Sequence, residues 1–257
     1  TTTGGIGYGV LYKIKTDGTG YTKLFDCDDN NYGNRPSGLV LSGSTLFCET
    51  NYGGANGKGL IFKINTDGTG YSKLLDFDGP NNGANSVGLT LGGSALYGCT
   101  YSGGATDNGV IFKINADGTG HTKFMDFDGV SSGRQPNCEL TLSGSTLFGT
   151  TINGGANDRG VVFKINTDGT GFTKLLDFDG VNGSQPFGSL TLIGPTLYGM
   201  TYGGGLNLKG VIFKINTDGT NFTKLFDFDG IPNGANPYGS LTLSGSTLFG
   251  MTYKGGT

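Results

Sequence analysis

Pairs of aspartates are the residues in this sequence whose type and spacing come closest to a site for chemistry. Each pair is separated by one residue, and alternation along a strand places both carboxylates on the same side. The text DxDG is similar to the start of a calcium loop, but an EF-hand also needs a third oxygen-bearing side chain and a glutamate at its end. We therefore predict no metal site and expect these carboxylates to accept hydrogen bonds from turn amides or to pair with lysines. The pairs are Asp76/Asp78, Asp126/Asp128, Asp177/Asp179 and Asp227/Asp229, with Asp26/Asp28 followed by Asp29 in the first copy, and the lysines are Lys73, Lys123, Lys174 and Lys224.

Glu49 and Glu139 are the only glutamates in the chain. Hydrolysis of a glycoside requires two or three carboxylates in one cleft, one of them with a raised pKa. The two glutamates fall in different copies of the repeat described below and on different strands of it, so they are not expected to share a cleft. We therefore expect a solvated or strand-end role for each. His121, the only histidine, follows a short turn where no acid, base or metal partner is expected, which predicts a surface role. No catalytic residue and no cofactor are predicted.

Four cysteines, Cys27, Cys48, Cys99 and Cys138, occupy four different positions of the repeat described below. No CxxC spacing typical of a metal site occurs. Disulfides that staple every repeat would join equivalent positions, so we expect small buried side chains and a fold that does not depend on disulfides. A contact between Cys48 and Cys99 in neighbouring copies stays open at this point.

All of these residues are placed by a unit that recurs along the whole chain. The lysine of the text FKIN falls at Lys63, Lys113, Lys164 and Lys214, and YKIK places one at Lys13, so five copies of 50 or 51 residues fill the 257-residue chain. Within a copy, apolar residues alternate over short runs that end in glycine or Asx-Gly, a pattern of strands rather than helices. In the last complete copy we predict strand A over residues 240–243, B over 247–252, C over 211–215 and D over 222–228. Short A–B and C–D links predict hairpin turns.

A four-stranded unit cannot bury both faces of its sheet alone, whereas radial stacking of such sheets does so. The predicted fold is an all-β, five-bladed β-propeller with four antiparallel strands per blade, in a single domain over residues 1–257. The first copy begins with strands C and D and the last one ends after A and B, so one blade is shared between the termini and closes the ring. The predicted blades are 9–26 plus 239–253, 38–78, 88–128, 139–179 and 189–229. An open solenoid of sheets is the alternative.

Composition limits the partners of this chain. The net charge is −3 and the lysines are spread evenly through the repeats, so nucleic acid is not an expected partner. The 52 glycines fall at fixed turn offsets rather than in a low-complexity segment. No apolar run is long enough for a membrane span, and we expect a monomer. The chain opens on TTTGG without a signal peptide, so we expect a mature or trimmed form.

The long B–C and D–A links carry most of the differences among copies. In an up-and-down sheet both kinds of long link emerge on one side and the short hairpins on the other. Rigid scaffolds tend to carry binding residues on such loops, although these links are also readable as simple connectors. The candidate ligand-binding residues are Tyr8, Tyr52, Asn56, Tyr101, Asn108, Asn153, Arg159, Tyr202, Asn207 and Tyr253.

The repeat text GSLTLSGSTLFGMTY, followed by GG, GVIFKINTDGT and FDFDG, resembles the GloVer-type (Gloeo/Verruco) tandem repeat of bacterial secreted or surface-anchored proteins, over essentially the whole chain. The resemblance implies a propeller-like repeat region outside the cell and carries no established activity or site residues. The anchoring segments of such proteins are not in this sequence. By architecture the chain is also similar to five-bladed lectins of the tachylectin kind, whose sugar-site residues find no match here.

The resulting functional hypothesis is a non-catalytic, multivalent binding or adhesion module at the cell surface or outside the cell. Glycans are the favoured ligands, because the long loops mix Tyr, Asn, Asp and Gly, and another surface protein is the other partner considered. The alternatives are a glycosidase that uses Glu49 or Glu139 with an aspartate, and a purely structural scaffold.

Overall fold

The computed structural model describes residues 7–256, and its regular structure is β-strand throughout, with no helix in that range. No segment within it is therefore a helix able to cross a membrane. The first six residues of the predicted N-terminal loop text lie outside the described residues. The chain divides into two compact units, Thr1–Asp126 and Phe127–Thr257, which are described separately.

The first unit contains a two-stranded sheet and two four-stranded sheets, all with antiparallel pairing. In both larger sheets the spatial order follows the chain order, as predicted for strands A to D. The strands are β1 (Val10–Lys13) and β2 (Thr22–Asp26), then β3 (Asn34–Ser42), β4 (Thr45–Tyr52), β5 (Leu60–Asn65) and β6 (Ser72–Asp76), then β7 (Ala84–Gly92), β8 (Ala95–Ser102), β9 (Val110–Asn115) and β10 (Thr122–Asp126).

The second unit repeats the same order twice and ends in two small sheets. Its first sheet joins β11 (Arg134–Pro136), β12 (Thr141–Ser143), β13 (Thr146–Asn153), β14 (Val161–Asn166) and β15 (Thr173–Asp177). Its second joins β16 (Thr191–Ile193), β17 (Thr196–Thr201), β18 (Val211–Asn216) and β19 (Thr223–Asp227). The remaining strands are β20 (Ala235–Pro237), β21 (Thr242–Ser244), β22 (Thr247–Phe249) and β23 (Thr252–Lys254), which pair as β20 with β23 and β21 with β22.

Two strand predictions for the last copy are wrong in detail. Strand A begins at Thr242 rather than at residue 240, and the predicted strand B over 247–252 is interrupted. Gly250 and Met251 belong to no strand, because β22 and β23 on either side of them pair with different partners.

The D–A links are not only loops. Their second halves pair with the end of strand B, as Arg134 does with Asn153 and Pro136 does with Thr151. Between these two paired residues, Gln135 has a φ of 57° and so turns the chain within the short ladder. The predicted long D–A loop is therefore a tight turn followed by a short strand.

The short C–D turns are fixed by one repeated contact. Oδ1 of Asp67 accepts hydrogen bonds from the backbone N–H of Thr69 at 2.8 Å and from its hydroxyl at 2.7 Å. The same pair of bonds recurs at Asp17, Asp117, Asp168 and Asp218. The residues Asp-Gly-Thr, common to all five copies, thus specify an Asx turn in each of the predicted C–D hairpins.

Adjacent sheets within a unit pack through phenylalanines. The residue that follows strand D meets strand C of the next copy edge to face, with centroids 5.5 Å apart for Phe77 and Phe112 and 5.3 Å for Phe178 and Phe213. All four rings are fully buried. Gly98 makes room for this contact, since a Cβ there would lie 2.6 Å from the ring of Phe112.

His121 does not have the predicted surface role. Its ring lies 6.0 Å from that of Phe112, at the position where Tyr71 and Phe172 pack on the strand C phenylalanine of their own copies. Its Nε2 atom is buried and has no hydrogen-bond partner among residues 7–256. Histidine thus replaces the tyrosine or phenylalanine that other copies have at this position of the repeat. Burial lowers the pKa of the His121 imidazole, although the nearby carboxylate of Asp78 opposes the shift.

All four cysteines are buried, and each is a free thiol in the structure. Cys27 stands where other copies have the packing phenylalanine, and Cys48 stands where they have the glycine that makes room for it. Cys27 and Cys48 line one cavity of about 350 Å³ in the first unit, together with Leu11, Pro36 and Phe62. Compared with the other copies, the side chain is therefore smaller at position 27 and larger at position 48.

Candidate functional site

A buried threonine fixes the start of each B–C loop. The hydroxyl of Thr151 donates to the carbonyl of Asn153 at 2.9 Å and accepts from the backbone N–H of Val161 at 3.2 Å, so it joins both ends of the loop. Its side chain is fully buried. The same two bonds are formed by Thr50, Thr100 and Thr201.

The long loops of neighbouring copies are hydrogen-bonded to one another. In four of the D–A links a residue with positive φ donates its backbone N–H to the B–C loop of the copy before it, as Asn236 does to the carbonyl of Lys209 at 2.7 Å. The side-chain amide of Asn236 also donates to the carbonyl of Tyr202 at 2.9 Å. Equivalent backbone bonds join Arg35 to Tyr8, Asn85 to Lys58 and Gln185 to Arg159. The backbone of these loops is thereby held in place by hydrogen bonds within the chain.

The paired aspartates have the structural roles expected of them. Asp177 forms an ion pair with Lys174 at 2.7 Å and accepts the N–H of Ala156 in the B–C loop at 2.8 Å. Asp128 accepts bonds from Ser131 and Ser132 in its own turn. Partial burial would raise the pKa of Asp128, but these hydrogen bonds outweigh it and hold that pKa well below its usual range. No cluster of metal-ligand side chains occurs within residues 7–256.

Among the candidate binding residues of the first unit, Tyr52 lines an open depression that also contains charged and polar side chains. The guanidinium of Arg35 sits over its ring, 5.1 Å from the centroid, a cation–π geometry. Asp29 and Asn34 line the same open depression, which has a volume of about 400 Å³. Tyr8 contributes its backbone carbonyl to Arg35, and its side chain is exposed.

Three candidate asparagines are engaged in local contacts. The amide of Asn56 donates to the carbonyl of Phe77 at 3.0 Å, and that of Asn207 donates to the carbonyl of Phe228 at 3.1 Å. Asn108 donates to the hydroxyl of Thr106 at 3.1 Å. These amides stabilise the loops, so the variation at their positions is not in itself a sign of ligand binding.

The remaining candidates differ in environment. Asn153 donates its amide to Oε1 of Gln135 at 2.7 Å, which ties two long links together. Tyr101 is half-buried, whereas Arg159 is exposed and lies close to Gly180, where a Cβ would be 3.0 Å from its Cζ.

An aromatic cleft lies in the second unit and contains two of the predicted residues. Tyr202 and Tyr253 line it together with Phe187 and Tyr238, and its volume is about 580 Å³. The rings of Phe187 and Tyr238 are stacked with centroids 5.3 Å apart, and Tyr202 meets Phe187 edge to face at 5.5 Å. Tyr238 is 52% exposed and Tyr253 is 69% exposed, so the cleft opens to solvent.

Sequence reasoning missed Phe187 as a site residue. It occupies the repeat position of Ser37, Val87, Asn137 and Tyr238, in the D–A link. A comparison of copies at that one position would have shown aromatic residues only in the last two. The contact with Tyr202 itself depends on the pairing of Ser184 with Gly203, which no periodicity reveals.

The two glutamates lie in different units of the chain and are described separately. Glu49 is fully buried, where it accepts a hydrogen bond from the hydroxyl of Ser86, so the expected solvated or strand-end role is wrong for this residue. Glu139 is exposed to solvent in the second unit, as expected of a solvated residue, and partial desolvation of its carboxyl group raises its pKa. A carboxylate with no exposed surface cannot reach a substrate without a structural change.

Comparison with known protein families shows which family the chain belongs to. The sequence matches the Gloeobacter/Verrucomicrobia repeat over residues 1–144 and 127–257. This chain belongs to the Gloeobacter/Verrucomicrobia repeat family. A search among curated proteins finds no sequence relative.

Solved structures similar to this Gloeobacter/Verrucomicrobia repeat protein show its kind of fold. A chain of a nidogen/laminin complex is 14% identical, with a TM-score of 0.59 over 91% of this chain and 76% of the other. A putative TolB from Agrobacterium tumefaciens is 15% identical, with a TM-score of 0.57 over 91% and 79%. The GH74 enzyme of Niastella koreensis is 19% identical, with a TM-score of 0.56, and this chain covers 34% of it. These propeller-like neighbours agree with the all-β, antiparallel four-stranded repeat described above.

Proposed function

We propose that this protein is a non-catalytic binding module that works outside the cell or at its surface, with glycans as its ligands and the long loops as its binding surface. The observation that carries the proposal is the state of those loops. Their backbones are locked to neighbouring copies by hydrogen bonds, while tyrosine side chains such as Tyr52 stay exposed. A preformed surface loses little conformational entropy when it binds.

The side chains on these loops suit sugars better than charged ligands. Tyrosine offers an apolar ring with one polar end, and asparagine amides both donate and accept. One basic residue of these loops, Arg134, is already paired with Asp158 in its own unit at 3.0 Å. Several related sites on one repeat protein would each bind weakly and gain affinity together on a multivalent surface.

For the complete assembly we propose a five-bladed ring whose last blade is built from both ends of the chain. Each unit by itself has a small sheet at one end, with exposed apolar side chains on it or beside it. In the first unit Tyr12 of β1 is 45% exposed, and Leu39 and Leu41 of the adjoining strand β3 are 54% and 59% exposed. In the second they include Phe249 and Met251, which are 57% and 76% exposed. Strand edges and apolar faces of this kind are normally covered in a folded protein.

Binding of the purified protein to a glycan array, and to the same glycans coupled to a polymer, tests the function. The triple variant Tyr52→Ala, Tyr101→Ala, Tyr202→Ala is expected to lose binding to the polymer. The matched triple variant Asp67→Asn, Asp117→Asn, Asp218→Asn changes only the short turns and is expected to bind as the unmodified chain does. Loss of binding in the short-turn variant alone would assign function to the opposite side. A generic glycosidase assay on the same samples tests the non-catalytic part of the proposal.

Removal of residues 240–257 tests ring closure. The proposed ring requires that this deletion destabilises the whole chain, including the first unit, whereas removal of residues 254–257 does not. Hydrogen exchange of β1 and β2 reports on the first unit directly. Unchanged protection there in the longer deletion would contradict the shared blade.

A further inference from the structure

The aromatic cleft in the second unit differs from the equivalent positions of the other copies. Its four residues come from two repeat positions in two consecutive copies, Phe187 with Tyr238 and Tyr202 with Tyr253. One repeat earlier the same four positions hold Asn137, Phe187, Ile152 and Tyr202, and one repeat before that they hold Val87, Asn137, Tyr101 and Ile152. The complete set of four aromatic rings therefore occurs only at this end of the chain.

The rings of the cleft are held by backbone contacts. The N–H of Tyr202 donates to the carbonyl of Gln185 and its carbonyl accepts the amide of Asn236, both at 2.9 Å. The N–H of Tyr238 donates to the carbonyl of Met251 at 3.2 Å. Tyr253 lies on β23, which is paired with β20 immediately before Tyr238. The cleft is thus built on the β20–β23 pair at one side and beside the bridge between Ser184 and Gly203 at the other.

The chemistry of the lining limits the ligand. None of the four lining residues carries a charge, so a charged ligand would leave its charge unpaired there. Three phenol hydroxyls stand beside the apolar ring faces, and the volume of about 580 Å³ is in the range, roughly 300–1,000 Å³, of pockets for small molecules. Rings 5.3 Å apart leave no room for a ligand between Phe187 and Tyr238, so these two act as one wall.

We infer that this cleft is a binding subsite for a neutral pyranose ring, which packs its C–H face on the aromatic wall and hydrogen-bonds to tyrosine hydroxyls. This inference rests on the proposed glycan-binding function and sharpens it. Instead of several sites of equal affinity, the protein then has one stronger subsite at the C-terminal end of the chain. The other long-loop positions then contribute weaker contacts.

Saturation-transfer NMR and titration calorimetry of the full chain, with a panel of neutral methyl pyranosides and N-acetylated amino sugars as probes, test the subsite. At least one probe is expected to bind. Its dissociation constant is expected to rise at least tenfold in Tyr238→Ala and in Tyr253→Ala. Tyr238→Phe keeps the ring and loses the hydroxyl, so a smaller rise is expected there.

Tyr21→Ala is the matched control, because that ring is 59% exposed in the first unit and lies outside the cleft. It is expected to leave the dissociation constant unchanged. Thermal unfolding of every variant checks the fold. Since Tyr253 is largely exposed, Tyr253→Ala keeps the test valid if the Tyr238 variant is destabilised.

The outcomes separate this inference from the proposed function. Binding to polymer-coupled glycans that survives Tyr238→Ala and Tyr253→Ala would overturn the subsite and leave the proposed function standing. Pyranoside binding at the cleft without any binding to glycan surfaces would support the subsite and contradict multivalent adhesion. No binding of any pyranoside would overturn the subsite. Self-association that is lost on Tyr238→Ala would also overturn it, because a second copy would then be the occupant.

Discussion

The hydroxyl of Ser86 donates a hydrogen bond of 2.5 Å to Oε2 of Glu49, and both side chains are fully buried. The two residues belong to neighbouring copies, so this bond connects two sheets of the first unit. The hydroxyl of Ser37 also reaches Oε1 of the same carboxyl group at 3.3 Å. A glutamate that looks specialised in the sequence therefore contributes to packing between repeats.

Substitution Ser86→Ala is expected to lower the free energy of unfolding by ~1–3 kcal/mol, because a buried acceptor loses its donor. In a chain of this size that corresponds to a melting temperature lower by roughly 2–4 °C per kcal/mol. Thermal and urea unfolding measure the change. Ser44→Ala removes an exposed hydroxyl and is the control, with an expected change within about 0.5 kcal/mol. Equal stability of both variants would show that the bond to Glu49 contributes nothing.

The buried threonines at the start of the B–C loops provide a second test. Thr151→Val keeps the shape of the side chain but removes one donor and one acceptor, which leaves the N–H of Val161 and the carbonyl of Asn153 without this partner. The expected loss of stability is ~1–3 kcal/mol. Thr151→Ser retains both bonds and should lose less. If the serine variant were the less stable of the two, the methyl group and not the hydroxyl would be the important part of Thr151.

Much of the fold was predictable because the repeat states it several times. Alternating apolar residues around Lys63 and the Asp-Gly-Thr turn that follows predict β5, β6 and their hairpin, and the same pattern recurs in the other copies. The prediction failed where a residue with positive φ interrupts the alternation. Gln135 and Asn236 look like loop residues, yet each lies within a short strand, because a left-handed residue is compatible with the paired residues on either side.

The candidate site was less predictable because it depends on contacts between copies. Tyr202 and Tyr253 were found from loop composition, but Phe187 required the knowledge that its D–A link runs beside Tyr202. The paired changes in side-chain size at Cys27 and Cys48 have the same origin. Each cysteine alone looks like an isolated substitution, and the relation between the two becomes visible only because both line one cavity.

His121 predicts a pH dependence of stability. Burial lowers its pKa below the usual value of 6.5 in the folded state, so the unfolded chain binds the proton more readily. Stability from this group is therefore fully present above pH 6.5 and falls as the pH drops from there toward the folded pKa. His121→Phe, which installs the residue found at Phe172 and Phe222, should remove this slope. The melting temperatures of the two proteins should diverge between pH 8 and pH 5, in favour of phenylalanine. Parallel pH profiles would show that His121 is protonated equally in both states.

The buried thiols of the first unit should be inert in the folded protein. Burial raises the pKa of Cys27 to about 11 and that of Cys48 to about 12, so the reactive thiolate is scarce at neutral pH. A disulfide-forming reagent such as dithionitrobenzoate should modify the native chain far more slowly than an exposed thiol at pH 8. In urea all 4 cysteines should react, which provides the control for reagent and protein concentration.

A reducing agent should leave the melting temperature within ~5 °C, because a larger fall corresponds to a kcal/mol or more in a chain of this length. Rapid labelling of the native protein would contradict the buried positions of Cys27 and Cys48, and a larger fall on reduction would show that a disulfide stabilises the fold.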